Sequence, residues 1–307
     1  MKRVNSRKSR TASAARRYRA ALLPLAAVMC VALAGCAAGQ NAITPGPAPT
    51  IRSSTQIDPP LLAYLPTVDE LVLIDRGDAE LQVQCAARYG VTIDPRLLDM
   101  NALLDMYSQD RRYGIVNRDE VEQYGYGSPP SQYHSLERGE DPEQPFEVEV
   151  LSGTTEDGSP SQLQDKDGNT LPEGGCGLIG SKESSGGHKR SEWEIAYVLL
   201  GEAWDRLLAD PGFQAAEADW ATCMSKSGYD FQHRWDAANS LTGDDPERSK
   251  DMALLDLDCA EETNYIGRAM AIDVAIQNQL ISDNEASLRA ALDIQKERLS
   301  IAKKALK

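Results

Sequence analysis

Imidazole chemistry in this chain would have to come from His134, His188 or His233, its three histidines. None stands at a metalloprotease spacing or beside a dyad partner, so each reads as a solvated loop residue. Asp165, Asp167 and Asn169 begin like an EF-hand loop. Thr170 then occupies the position that needs glycine, and Cys176 the position that needs a bidentate glutamate, so the segment reads as a turn and not a calcium site. No Gly-x-Ser-x-Gly elbow, Walker loop, Rossmann fingerprint or Ser-x-x-Lys motif occurs, which leaves nucleophilic and phosphate chemistry without a foothold. Carboxylates are abundant, but surface abundance alone singles out no acid/base pair. Tyr107, Tyr113, Tyr124, Tyr126 and Tyr133 lie in a Gly/Pro-rich stretch. Tyr113, Tyr124 and Tyr126 are the candidate binding aromatics, able to stack on a sugar or peptide; the competing role is to cover a small core. The residues thus predict no catalytic group, no metal site and no cofactor.

The cysteines say more. Residues 1–35 hold eight of the 32 Lys and Arg and none of the 47 Asp and Glu. An apolar run follows from Ala20 to Gly35 and ends in Leu33-Ala34-Gly35-Cys36. It is shorter than the roughly twenty residues that span a bilayer. Basic region, apolar region and these last four residues resemble, in order, a bacterial lipobox, with cleavage before Cys36 and lipid on its thiol. A plain secretory signal or an uncleaved anchor is the competing reading. Arg16-Arg17 raises twin-arginine export, but Tyr18-Arg19 fits that motif imperfectly, and ordinary secretion is favoured. Two or three acyl chains would hold the chain at the outer face of the membrane.

From Cys36 onward the chain carries 24 basic against 47 acidic side chains, a net charge of −23. Such a body should be repelled by nucleic acid and by anionic lipid or wall polymers and should steer cationic partners or metal ions, or is simply soluble. Cys85, Cys176, Cys223 and Cys259 remain, an even set that implies two disulfides in an oxidising compartment, with three connectivities open. A zinc site is the rival, but no two of these cysteines have zinc-ligand spacing.

These residues must be positioned by helices. After the signal at 1–35, residues 36–66 read as a proline-rich tether. A first half, 67–190, opens with a helix over 68–89 that turns Cys85 inward and is capped by Gly90. Short helical pieces follow at 94–107 and 117–124. Residues 127–190 form a loop-rich insertion, in which the alternation Phe146-Glu147-Val148-Glu149-Val150 predicts one or two short strands and Gly174-Gly175-Cys176-Gly177 a turn. A helical second half, 191–307, opens on a Ser191–Glu194 capping box with an apolar face running from Trp193 to Leu208. A helix beginning at Pro211 and ending at Gly228 carries Cys223, and a third carries Met252, Leu255, Cys259 and Ile266. The last, long helix has a heptad-like seam from Leu288 to Leu306, which either self-associates or folds back on the body. The expected fold class is mainly α, disulfide-stapled.

Cys85 to Ile93 and Cys223 to Phe231 repeat one pattern: a helical cysteine, a glycine five residues on, then alternating apolar residues. Each copy has one later cysteine, so the simplest pairing is Cys85 with Cys176 and Cys223 with Cys259. Together with Arg111-Arg112-Tyr113-Gly114, Tyr124-Gly125-Tyr126 and Trp220-x-x-Cys223-Met224, these elements resemble secreted lipoproteins of actinobacteria with no assigned activity. Ala86 departs from the Met found at 224. The resemblance, over about 60–265, implies a disulfide-stapled helical envelope protein. The expectation is therefore a lipid-anchored, non-enzymatic protein that binds an envelope partner or wall glycan through its loop-rich half. The alternatives are a wall hydrolase with an Asp/Glu pair, and a spacer self-associating through the last helix.

Overall fold

A computed structural model describes residues 44–94, 109, 111–129, 145–241 and 246–307, which belong to one compact unit. Eleven helices are described: α1 (Val68–Arg88), α2 (Arg118–Tyr124), α3 (Pro145–Ser152), α4 (Gly175–Ser184), α5 (Arg190–Trp193), α6 (Ile195–Ala209), α7 (Pro211–Lys226), α8 (Arg234–Asn239), α9 (Pro246–Glu262), α10 (Tyr265–Asp283) and α11 (Glu285–Ala305). Cys36 and the predicted piece at 94–107, apart from Asp94, lie outside the described residues.

The repeated cysteine pattern is a helix ending. In α1, Gly90 takes φ +74°, and the N–H groups of Gly90 and Val91 close on the carbonyls of Ala87 and Ala86 at 3.1 Å. In α7, Gly228 takes φ +88°, with Gly228 and Tyr229 closing on Ser225 and Met224 at 3.0 and 3.3 Å. Both are Schellman caps, in which a residue without Cβ permits the left-handed turn. The cap puts each cysteine in the last buried turn. Cys85 bonds Cys176 at the start of α4, and Cys223 bonds Cys259 near the end of α9, each with Cα atoms 5.5 Å apart. Cross-links that close loops of 91 and 36 residues stabilise by about 4 kcal/mol each in the loop-entropy view.

The main core is built on α10, which packs against α6, α7 and the turn at Pro60–Tyr64. Trp220, Phe213, Leu207 and Leu280 are fully buried there, around Cys223 and Cys259. A satellite core of Cys85, Ala86, Ile93, Val150, Leu171 and Cys176 lies under the first staple. The last helix, α11, lies against α1, α4 and α5. It therefore folds back on the body, and the spacer reading loses much of the apolar seam it needed: Leu288, Gln295 and Ala302 are buried, although Leu306 stays exposed.

Several expectations are corrected. The tether does not extend through 66. Residues 44–50 are exposed, but Ile51, Ile57 and Leu61 are buried in the main core. Gln277 Oε1 accepts the Leu61 N–H at 3.0 Å, and Asn117 Oδ1 accepts that of Ser54 at 2.8 Å. Proline content hid three apolar side chains, and Pro59-Pro60 opens a short 3-10 turn where a floppy link was expected. Phe146–Val150 is helical, not a strand. Alternation needs a partner strand to be β, and the described residues offer only isolated bridges at Thr154–Pro160 and Gln164–Thr170. The Gly174-Gly175 turn is the entry to α4: a Cβ at Gly175 would lie 2.5 Å from the Val150 carbonyl, so α3 and α4 meet through backbone. The Ser191 box is displaced, because Glu192 caps Lys189 N–H at 2.6 Å and α5 stops before α6 begins. The third helix of the second half is two, broken at Asn264 (φ +49°).

One crossing is unusually close. A Cβ at Gly77 would lie 2.5 Å from Ala302 Cα, so α1 and α11 touch backbone to backbone. Alanine is the better helix former by about 1 kcal/mol, yet overpacking here costs about 1–3 kcal/mol. Gly77→Ala is therefore expected to lower the urea midpoint; an unchanged or raised midpoint would place the helices farther apart. A digest made without reduction should likewise yield Cys85–Cys176 and Cys223–Cys259 peptides and none joining Cys85 to Cys223.

Candidate functional site

Three of the sequence motifs, through Arg112 and Tyr113, Tyr126, and Trp220, converge on one buried network. Arg234, in the first turn of α8, donates Nε–H to Asp256 Oδ1 at 2.6 Å, and its two Nη groups to the carbonyls of Tyr113 and Ile115 at 2.8 Å each. Its guanidinium lies 5.3 Å from the centre of the Tyr265 ring. Asp256 also accepts Trp220 Nε1–H at 2.9 Å and the Tyr126 hydroxyl at 3.2 Å. A second carboxylate, Asp273, accepts Arg112 Nε–H at 2.6 Å, the Tyr113 hydroxyl at 2.6 Å and Gln277 Nε2–H at 2.9 Å. The third, Glu217, accepts the Tyr265 hydroxyl at 2.9 Å and pairs with His233 Nδ1.

Every oxygen in this network is met by a donor of the fold, as buried charge requires. Burial pushes the phenols of Tyr113, Tyr126 and Tyr265 well above their ordinary range, reinforced by the carboxylates Asp273, Asp256 and Glu217 respectively, so all three stay protonated donors. Burial also pushes Asp256 up, while Arg234, Trp220 and Tyr126 pull it back. Gly114 has φ +104°, and a Cβ there would lie 2.7 Å from Arg234 Nη1. The Arg112-Tyr113-Gly114 motif thus serves internal structure.

This settles where the candidate aromatics lie. Tyr113 is 3 % exposed, which removes it from any ligand surface. Tyr126 spends its hydroxyl on Asp256, and Tyr124 is half-buried at the end of α2. The three do not form a stacking platform; Tyr107 and Tyr133 lie outside the described residues. His188 meets Glu297 at 3.2 Å on the surface, and His134 is outside the described residues. Asp165 Oδ1 accepts the N–H groups of Asp167 and Asn169 at 2.9 and 2.8 Å, the turn expected of it.

Sequence reading missed the open site. A cleft of about 220 Å³ lies where α1, α4, α5, α6 and α11 meet. Leu71, Ile74 and Pro66 give it an apolar side. Trp193, displaced from the α6 face by the break after α5, forms another wall and carries the Arg298 guanidinium 4.4 Å from its ring centre. Asp78 faces them. Its Oδ2 accepts Gln82 Nε2–H at 3.2 Å, whereas its Oδ1 is buried without a hydrogen-bond partner. Burial pushes the Asp78 carboxyl above its ordinary range, against the pull of Ser184, Gln82 and the Arg298 charge. The hydroxyls of Ser184 and Ser185 turn back to the carbonyls of Ser181 and Lys182, at 3.2 and 2.9 Å. The cleft therefore combines a cation on an indole, a carboxylate and an apolar wall, and its lining includes no histidine or cysteine. That is equipment for holding a small polar group. The only foresight available was Trp193, noted for its helical spacing.

Comparisons of the chain with protein-family models, with curated proteins and with solved structures find no match.

Two outcomes follow. Arg234→Met strands the Asp256 charge and should cost about 3–5 kcal/mol in urea unfolding, whereas Tyr126→Phe should cost about 1 kcal/mol; equal small effects would mean water reaches Asp256. For Asp78 the folded state holds its proton more tightly than the unfolded state. Ionisation therefore penalises folding increasingly as pH rises through the ordinary carboxylate range. Asp78→Asn should be at least as stable as the parent at neutral pH, with the advantage vanishing in acid.

Proposed function

We propose that the chain is exported, cleaved before Cys36 and held by lipid on that cysteine at the outer face of a membrane, where it acts by binding and not by catalysis. One observation carries this reading: the four cysteines after Cys36 are all consumed, as Cys85–Cys176 and Cys223–Cys259. That pairing fits an oxidising exterior and leaves Cys36 as the odd thiol of the processed chain, available for acylation. The basic and apolar segments before it supply the address, and the resemblance to actinobacterial secreted lipoproteins agrees with it. The exposed link is shorter than the sequence suggested, because packing begins at Ile51.

Binding is supported by the division of labour among polar groups. The deeply buried carboxylates Asp256, Asp273 and Glu217 are saturated by core donors, whereas the cleft of Asp78, Trp193 and Arg298 opens outward. The cleft joins α1 and α4 to α6 and α11, so the ligand site belongs to both halves of the chain. An envelope protein or a wall glycan is the partner class this reading favours.

Expression of the full chain in a bacterium, followed by detergent phase separation, tests the anchor. The parent should enter the detergent phase and Cys36→Ala the aqueous phase, with the mass of two or three acyl chains on the parent's N-terminal peptide. An unmodified Cys36 in a processed protein would overturn the reading.

A further inference from the structure

The helix α11 ends in an unusual run for so acidic a chain. Lys296, Lys303, Lys304 and Lys307 fall within its last turns and just beyond, and all are exposed. Four of the nine lysines after Cys36 are gathered there. Lys296 meets Asp293 at 2.9 Å, whereas Lys303, Lys304 and Lys307 have no ion-pair partner among the described residues. Glu297, the one acid between 296 and 307, pairs with His188 at 3.2 Å. The helix α1, packed alongside, contributes Glu80, whose carboxylate accepts Gln84 Nε2–H, and that same amide donates to Ala305 O at 3.2 Å. Leu299 and Ser300 line the same surface as the lysines, and Leu306, 43 % exposed, sits among them. Lysines around a partly buried Leu299 and an exposed Leu306 are the pattern of a helix end that rests on an anionic interface.

We propose that this end of α11 is the face by which the body docks on the anionic headgroups of the membrane that holds it. The proposal rests on the lipid-anchor reading, which supplies proximity. Fourteen residues lie between Cys36 and buried Ile51, so Ile51 can be at most about 50 Å from the surface. The net charge of −23 from Cys36 onward repels the rest of the body from that surface, and the lysine end is attracted, so the two effects orient the molecule. Stabilisation of a helix C-terminus by nearby cations is the competing role for these lysines. It requires no surface.

The test uses the chain from Cys36 onward, carrying Cys36→Ser and made without lipid, so that anchoring cannot mask docking. It should sediment with vesicles of phosphatidylglycerol and phosphatidylcholine in equal parts, but not with phosphatidylcholine alone, and raised salt should release it. At about fivefold per lysine, the triple variant Lys303→Gln, Lys304→Gln, Lys307→Gln should lose about 100-fold in partition with its circular dichroism unchanged. Equal partition of parent and triple variant, or none by the parent, would overturn the proposal. Binding to soluble polyphosphate without binding to vesicles would also overturn it, and would assign the stripe to an anionic polymer. Phase separation of the acylated chain reads Cys36 independently, so the two proposals fail separately.

Discussion

The contact on which this fold depends is the ion pair of Arg234 with Asp256, 2.6 Å long and almost wholly shielded from water. An isolated charge at that depth would be prohibitively expensive. The structure offsets the cost by giving the guanidinium the Tyr113 and Ile115 carbonyls and the carboxylate the Trp220 and Tyr126 donors. Those partners come from three separate parts of the chain, and the pair itself from α8 and α9. The pair therefore fixes the 111–116 segment, α7, α8 and α9 against one another, and the Cys223–Cys259 bond closes the same seam. Gly114 is glycine because the guanidinium fills the space a side chain would need.

That arrangement changes what the sequence motifs mean. Tyrosines and arginines in a glycine-rich stretch suggest a binding surface, and here Arg112, Tyr113 and Tyr126 are core donors whose partners lie 130 to 161 residues away. No local pattern reports a partner so distant. What was legible was local: the Schellman endings of α1 and α7, read from a cysteine and a glycine five apart, and with them the pairing of the staples. The Asp165 turn was legible for the same reason, since its donors lie within four residues.

The misreadings also share a physical cause. Composition suggested a free tether, but Ile51, Ile57 and Leu61 are enough apolar surface to seat the segment on α10. Alternation suggested a strand at 146–150, yet pairing and not periodicity makes a strand. The cleft was invisible because it has no motif. It exists only because α5 breaks from α6 and α11 folds back to bring Arg298 over Trp193. The closed interior leaves two features open at the surface, the cleft of Asp78, Trp193 and Arg298 and the lysine-rich end of α11.

The most direct test of that account is a double-mutant cycle on Arg234 and Asp256, read by urea unfolding. If the pair is the keystone, Arg234→Met and Asp256→Leu should each destabilise strongly, and the double variant should be less destabilised than the sum by at least about 2 kcal/mol. Additive losses would mean that the two charges do not depend on each other, and would contradict the central claim.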